Sequence, residues 1–294
     1  MPDQTKGILL MIAAIFAFTV LDLCAKLLIE RVGVMQTLWA RYAGQSILVF
    51  LIILPKLKFT LRTSYPKLQI LRSVFMLGAT AFFFTGLSKL GLAEITAIMD
   101  ISPVLITLGA ALFLGERFGP RRAFGVLAAL IGAMIIIRPG SGVLSLYALL
   151  PVAAALCYSG FALATRYVGR GENVWTSLFY AAILGGAVFS ILVPFYWQTP
   201  DTKAIFLMLT VGIISTLPHF LLVHALRLAE ASVVAPFGYL GLLFATTWGM
   251  LVFGKYPDAL TYLGALVIVG AGIYVWSREN RDTNNAGKPD VETR

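Results

Sequence analysis

Long apolar stretches recur along the chain, separated by short polar segments. Each is long enough to cross a hydrocarbon core of about 30 Å as an α-helix. The predicted spans are 7–29, 34–54, 68–88, 92–114, 121–138, 144–168, 174–197, 203–226, 230–253 and 259–277. Open strands would leave unpaired backbone groups in lipid, and no two-residue alternation indicates a barrel. The pattern therefore predicts an all-α integral membrane protein of ten transmembrane helices.

Composition supports lipid as the surrounding solvent. Hydrophobic residues make up 59% of the 294 positions and charged residues only 13%. A soluble domain carries about twice that share of charge. The net charge of +9 comes from basic residues scattered through short loops, with no run or face of the kind that binds nucleic acid. This excludes a nucleic-acid partner and predicts membrane lipids as neighbours.

The basic residues also predict an orientation. With the N-terminus inside, sixteen fall in cytoplasmic segments: Lys6, Lys56, Lys58, Arg62, Lys67, Arg72, Arg117, Arg121, Arg122, Arg166, Arg170, Arg227, Arg278, Arg281, Lys288 and Arg294. Five fall on the opposite side: Arg31, Lys89, Arg138, Lys203 and Lys255. Cytoplasmic loops are the basic ones, so both termini are predicted to be cytoplasmic. The segment 278–294 contains too few apolar residues to fold and is predicted to be a disordered cytoplasmic tail.

The two halves of the chain resemble each other. FLGERFGPRRAFGVLAALIGAMII lies around residue 115 and VFGKYPDALTYLGALVIVGAGIYV around residue 254, so that Gly115 matches Gly254 at an offset of 139. AEITA at 93–97 recurs as AEASV at 229–233. Chance similarity between apolar sequences is the competing interpretation. Five helices per half is an odd number, so the halves, 1–138 and 144–277, are predicted to be two inverted repeats.

Several of these stretches resemble a known family. FTVLDLCAKLL in the first span, WARY at 39–42, AEITAIMDISPVLITLGAALFLGERFGPRR at 93–122 and the stretch from ASVVAPFGYL to IYVWSRE are similar to the EamA-type branch of the drug/metabolite transporter superfamily. The resemblance covers residues 7 to 279. It implies a multi-pass carrier in a prokaryotic inner membrane. One departure is Lys255, where such sequences carry Glu; the first half keeps its acid at Glu116.

Three charges mark a candidate site within the spans. Asp22, Arg41 and Asp100 each lie about 10–12 Å from the predicted outer end of their helix. Ionisable groups within a bilayer usually face protein or water, so this common depth predicts one wet cavity. Lys26 lies one turn from Asp22 on the same face.

A purely structural role for these charges is the competing interpretation. In it, Lys26 neutralises Asp22 while Arg41 bonds to Asp100. The repeat argues against this reading, because the second half has no charge at the corresponding positions. Those positions are Ala162, Tyr180 and Tyr239.

Other residues complete the candidate set. Trp39, Tyr158, Tyr180 and Tyr239 can stack on or hydrogen-bond a substrate, or serve only in packing and anchoring. His219, beside Pro218, is a candidate for lining or gating the cavity, whereas His224 is interpreted as structural. Pro103 and Pro236 occupy repeat-related spans and are the candidate hinges.

The sequence argues against metal and cofactor chemistry. Cys24 and Cys157 both lie inside apolar stretches, and the two histidines are five residues apart with no nearby acid or thiol. No metal site and no cofactor are predicted. The chain contains no Walker motif, HExxH or GxSxG, which argues against ATP drive and against an intramembrane enzyme.

These features predict a secondary transporter for a small polar or zwitterionic metabolite, such as an amino acid or a related compound, that works by alternating access. A proton on Asp22 or Asp100, or a counter-substrate, would provide coupling. Three alternatives stay open: uptake of a nucleoside-like or vitamin substrate, a channel, and a lipid flippase of the same architecture. The protein is expected to be a monomer or a homodimer.

Overall fold

The computed structural model describes residues 3–115, 119–137, 147, 149–168 and 171–254, together with scattered positions from 259 to 274. The described residues form helices and turns, without a β-strand. Most of the predicted span 259–277, the whole predicted tail 278–294, and both Glu116 and Lys255 lie outside the described residues.

Twelve α-helices are described. They are α1 Asp3–Ile53, α2 Leu57–Thr60, α3 Pro66–Lys89, α4 Leu92–Met99, α5 Ser102–Leu114, α6 Pro120–Ile137, α7 Leu149–Val168, α8 Val174–Leu192, α9 Thr202–Ile214, α10 Thr216–Leu228, α11 Ala231–Val234 and α12 Leu240–Phe253. Short 3₁₀ turns occupy Leu54–Lys56, Val193–Tyr196 and Ala235–Tyr239.

Helix α1 is interrupted at Gly33. This glycine has φ 78° and ψ 174°, a conformation that side-chain-bearing residues rarely adopt. The break divides α1 into a first arm, 3–32, and a second arm, 34–53. Ala25 of the first arm and Tyr42 of the second belong to one packed cluster, although an unbroken helix would hold them about 25 Å apart. The arms therefore lie side by side, in agreement with the predicted spans 7–29 and 34–54.

By length and composition alone, six helical runs among the described residues can cross a membrane. They are Asp3–Lys56, Pro66–Lys89, Leu149–Val168, Val174–Tyr196, Thr202–Leu228 and Ala231–Phe253. The first run contains both arms of α1. The predicted span 92–114 is divided between α4 and α5, and within α6 only the shorter apolar stretch Ala123–Gly132 is found among the described residues. The chain is a multi-pass helical membrane protein, and the count of ten remains a prediction.

Small residues allow the helices to approach closely, as is typical of membrane bundles. Gly44 in the second arm of α1 lies against the backbone of Gly212 in α9. Gly185 in α8 lies against the ring of Tyr42. Without a driving force from water between helices, this close packing fixes α1 at the centre, in contact with α3, α8, α9 and α10.

The matched halves share two local features. Helices α5 and α12 both end on a glycine in the left-handed conformation, Gly115 (φ 66°) and Gly254 (φ 64°). Both helices also follow a break that carries a proline: Pro103 at the start of α5, and Pro236 in the 3₁₀ turn before α12. The glycines aligned in the sequence therefore have the same structural role.

Candidate substrate cavity

A cavity opens at the break between α4 and α5 and the break before α12. Both breaks meet α3, α7 and the two arms of α1 there. The cavity encloses about 910 Å³ of empty space, including its open mouth. Three charged side chains line it, Asp22, Arg41 and Asp100. The remaining wall is largely apolar, with Phe18, Phe83, Phe84, Met11, Met76 and Met99 among its residues. A few polar groups in an apolar wall are typical of sites for small molecules.

Arg41 is held by neutral groups. The side chain is buried, with 2% exposure. Its Nη1 donates to Thr80 Oγ1 at 2.8 Å, and its Nη2 donates to His219 Nε2 at 3.2 Å. The guanidinium also faces the rings of Tyr42 and Phe84, at 4.8 and 5.6 Å. The bonds from Nη1 and Nη2 fix the guanidinium in place and use two of its five N–H groups. Its Nε has no hydrogen-bond partner among the described residues.

The contacts of His219 define its tautomer. Its Nδ1 lies 2.8 Å from the carbonyl oxygen of Ser215, which can only accept. Nδ1 therefore carries the hydrogen, and Nε2 is the lone pair that accepts from Arg41. The ring packs edge-on against Phe18 at 4.8 Å. His219 does not line the cavity; it lies behind Arg41 and is neutral in this arrangement.

Asp100 occupies the break between α4 and α5. Pro103 has no N–H, so the helical hydrogen bond to the carbonyl of Met99 cannot form and the chain turns at Asp100 and Ile101. The Asp100 side chain is 5% exposed, and its Oδ2 has no partner among the described residues. It sits beside the N-terminus of α5, where the helix dipole favours negative charge.

The break before α12 meets the break between α4 and α5 beside Asp100. A methyl group added to Gly238, in the 3₁₀ turn, would lie 3.3 Å from Pro103 Cγ. Tyr239 in the same turn is fully buried and interacts electrostatically with Asp100. Its hydroxyl has no hydrogen-bond partner in the described part of the chain. Asp100 Oδ2 and the Tyr239 hydroxyl, both without a partner in the described structure, therefore lie where the two breaks meet.

Asp22 lines the cavity from the first arm of α1 and interacts electrostatically with Arg41. Lys26 does not neutralise it. Instead Lys26 Nζ donates to the carbonyls of Leu87 at 2.7 Å and Leu90 at 3.3 Å, at the C-terminal end of α3. A cation at this position complements the negative end of the helix dipole. Lys26 therefore lies away from the cavity.

Neither of the charge pairs considered from the sequence is present. The ion pairs among the described residues are Lys26–Glu30 at 3.9 Å and Arg31–Asp201 at 2.6 Å. Arg41 and Asp100 line the same cavity without an ion pair between them. Both cavity carboxylates are therefore available to a ligand.

Some of the other predicted site residues lie in or next to the cavity, and others lie at the edge of the bundle. Tyr158 and Pro103 line the cavity, whereas Tyr239 and Pro236 are buried next to it. Trp39 donates to Ser190 Oγ at 3.2 Å, and the Tyr180 hydroxyl donates to the carbonyl of Leu61 at 3.0 Å. Both of these bonds are exposed, so Trp39 and Tyr180 lie at the edge of the bundle. His224 contacts the carbonyl of its own helix at Phe220, 3.0 Å away.

Arg72 was not recognised as a site residue from the sequence. Its position near the start of the predicted span 68–88 assigned it to a cytoplasmic segment. In the structure it is one of the largest fully buried side chains, 1% exposed, within α3. The available signal was its place four residues inside an apolar span, which is the same criterion that identified Arg41.

No group of three or more His, Cys, Asp or Glu side chains suited to a metal ion occurs among the described residues. The cavity offers two carboxylates, one guanidinium and an aromatic wall. Such a set can bind a solute that carries both charges and an apolar body.

Comparison with known proteins identifies the family. The EamA-like transporter family matches residues 5–138 and, a second time, residues 145–277. The chain belongs to the EamA-like transporter family. EamA-like proteins form the branch of the drug/metabolite transporter superfamily that the sequence motifs indicated, and the two matches correspond to the two similar halves.

Similar proteins are named as transporters of different solutes. The protein is 32% identical over 284 residues to a riboflavin transporter of Rhizobium johnstonii, covering 94% of this chain and 92% of the relative. It is 29% identical to a pseudopaline exporter of Pseudomonas aeruginosa, covering 91% and 95% of the two chains. A solved crystal structure aligns with TM-score 0.78 at 17% identity, covering 94% and 98%. This likeness shows that the fold is shared.

Proposed function

We propose that this EamA-like protein is a secondary transporter of a small zwitterionic metabolite, an amino acid or a related compound. It would work by alternating access in a prokaryotic inner membrane, with both termini in the cytoplasm. One observation carries the proposal: Asp22 and Asp100, neither in an ion pair, line the same cavity as a fixed Arg41. Related proteins named as transporters support the general class.

Each charge has a distinct role in this proposal. Asp22 and Asp100 accept from the ammonium group of the substrate. Arg41 donates to the substrate carboxylate from guanidinium N–H groups that Thr80 and His219 leave unused. Such charge-assisted hydrogen bonds are stronger than neutral ones. The aromatic and methionine side chains of the wall contact the apolar part of the substrate.

The broken helices supply the movement. Pro103 and Pro236 lie at matched breaks, and the breaks touch at Gly238. In carriers built from inverted repeats, discontinuous helices surround the substrate while the halves rock. We propose that these two prolines are the hinges, and that a proton on Asp22 or Asp100, or exchange with a counter-substrate, couples the transport cycle.

A second candidate is uptake of a vitamin or nucleoside-like solute. Two observations favour it: the aromatic side chains Phe18, Phe83 and Phe84 in the cavity wall, and the 32% identity to a riboflavin transporter. A planar ring could stack on these side chains. The unpaired carboxylates favour the zwitterion, because a neutral ring system leaves both buried acids without a partner.

The test starts from purified protein. A thermal-shift screen against amino acids, nucleosides, vitamins and organic cations should give its largest Tm increase with an amino acid or related zwitterion. Counterflow of that labelled compound into proteoliposomes should then be saturable. A largest increase with riboflavin or a nucleoside would establish the second candidate. Unsaturable flux would indicate a channel, and movement of labelled lipid would indicate a flippase.

Variants locate the transport site. Asp100→Asn keeps the shape of the side chain but removes its charge, and should reduce counterflow at least about tenfold, the effect of one lost charge-assisted bond. Asp201→Asn is the matched control, because its carboxylate lies in an exposed ion pair with Arg31, outside the cavity, and an amide oxygen can still accept from the Ala204 N–H. It should transport normally. Full transport by Asp100→Asn would contradict the proposed site.

A further inference from the structure

Arg72 is a second buried arginine, separate from the cavity. It lies in α3 with 1% exposure, and its guanidinium carbon is 5.3 Å from the centre of the Phe161 ring. It forms no ion pair with any described residue. Glu172 acts on it electrostatically, but the Glu172 oxygens already accept from Thr63 Oγ1 and, at 3.3 Å, from the backbone N–H of Asn173.

The donors of Arg72 are mostly unused. Nη2 donates to the carbonyl of Ser177 in α8, whereas Nε and Nη1 have no partner among the described residues. Gln69, one turn earlier in α3, donates to Ser177 Oγ at 3.3 Å and leaves its own Oε1 unpartnered. Thr176 is fully buried with an unpartnered hydroxyl. Buried guanidinium N–H groups of this kind require an acceptor.

Arg72 lies in α3 between the cavity and the predicted cytoplasmic end of that helix. It precedes Thr80, which holds Arg41, by eight residues, or about 12 Å along α3. On the predicted cytoplasmic side of Arg72, Thr63 donates to Glu172 and Tyr180 donates to the Leu61 carbonyl. These bonds join the segment before α3 to the second half of the chain. The side chain is therefore enclosed between the cavity and the predicted cytoplasmic face.

We infer that Arg72, with the hydroxyl of Thr176, forms a second anion-binding site that takes the carboxylate of a solute moving between the cavity and the cytoplasmic face. The inference rests on the proposed function, since it adds a position to the same route. Arg41 holds the carboxylate in the cavity, and Arg72 receives it when the α3–α8 contact opens. A structural role, in which Arg72 only ties α3 to α8, predicts no binding of an anion.

The experiment measures anion binding without transport. Full-length protein carrying Arg41→Gln, which removes the cavity guanidinium, is titrated at low salt with sodium benzoate and, in parallel, with neutral benzamide. Benzoate has no ammonium group and so does not depend on Asp22 or Asp100. The expected result is a saturable increase in Tm with benzoate alone, because a ligand that binds the folded state stabilises it.

Replacing Arg72 as well then locates the anion. In Arg41→Gln/Arg72→Gln the half-saturating benzoate concentration should rise at least about tenfold, the effect of losing a charge-assisted bond. Arg41→Gln/Arg72→Lys keeps the charge and should fall between the two. It also provides the comparison if the double glutamine variant does not fold.

Two outcomes would overturn the anion site: no saturable benzoate effect in Arg41→Gln, or the same half-saturation whether residue 72 is Arg, Lys or Gln. Counterflow by the wild type tests the proposed function separately. Counterflow without a benzoate effect removes only the anion site. A benzoate effect without counterflow removes only the transport proposal.

Discussion

Arg41 shows how this bundle holds a buried charge without an ion pair. Thr80 from α3 and His219 from α10 each accept one hydrogen bond, and two aromatic rings cover the guanidinium. A carboxylate in place of these neutral groups would compete with the substrate for the arginine. Neutral partners fix the geometry and leave the positive charge for the ligand.

Residue 219 provides a test of this arrangement. His219→Leu removes the acceptor of Arg41 Nη2, and leaving that buried donor unpaired should lower the free energy of unfolding by about 1–3 kcal/mol. Affinity for a zwitterion should fall, while affinity for the matching amine without a carboxylate should not. His219→Gln supplies an amide oxygen and should recover part of the loss. Thermal denaturation and ligand-induced Tm shifts measure both effects; equal losses for zwitterion and amine would contradict a role through Arg41.

The helices show how much the sequence alone could predict. Hydropathy located the apolar spans, and the gap between 29 and 34 contains the break at Gly33. It also placed Asp22, Arg41 and Asp100 at one depth, and all three line one cavity. Rotation about each helix was not predictable, because apolar residues surround most of these helices and leave no polar face to read. Lys26 was therefore predicted to be a site residue next to Asp22, although its long side chain reaches the end of α3.

Close helix contacts provide a matched pair of substitutions. Gly44→Ala would place a methyl group against the backbone of Gly212, forcing α1 and α9 apart at a cost of about 1–3 kcal/mol. Gly249→Ala in α12 is the control, because nothing lies within 4 Å of the added methyl. It should stabilise the helix by up to about 1 kcal/mol through propensity. Thermal denaturation of both variants measures the contrast, and equal stability of the two would show that this contact is not tight.

At the scale of the whole molecule, the cavity belongs to neither half alone. Asp22, Arg41 and Asp100 come from the first half, whereas Tyr158 and Gly238 come from the second. The glycine caps and proline breaks are repeated, but the charges are not. A scaffold of two similar halves thus carries an asymmetric set of binding groups. Because the fold is repeated without the charges, the asymmetry supports a role of the charges in selecting a solute and not in maintaining the fold.

The proposed orientation can be tested on the exposed loops. In a background without Cys24 and Cys157, Ser64→Cys should react with an impermeant maleimide only from the cytoplasmic side, and Thr199→Cys only from outside. Both side chains are exposed, and the distribution of basic residues predicts which side of the membrane each position faces. Labelling of right-side-out and inverted vesicles measures it. Reversed labelling of both positions would invert the topology, and labelling from one common side would contradict an odd number of crossings between them.

The bond between Arg41 and His219 joins residues 178 positions apart. At ribosomal rates of about 5–20 residues per second, Arg41 is made about 9–36 s before its acceptor exists. During that interval the nascent first half must keep a cation in or beside the insertion machinery with Thr80, the two rings and the electrostatic interaction with Asp22 to stabilise it. Chains truncated before α10 should therefore carry an incompletely bonded guanidinium, a feature by which quality-control proteases could recognise unfinished copies.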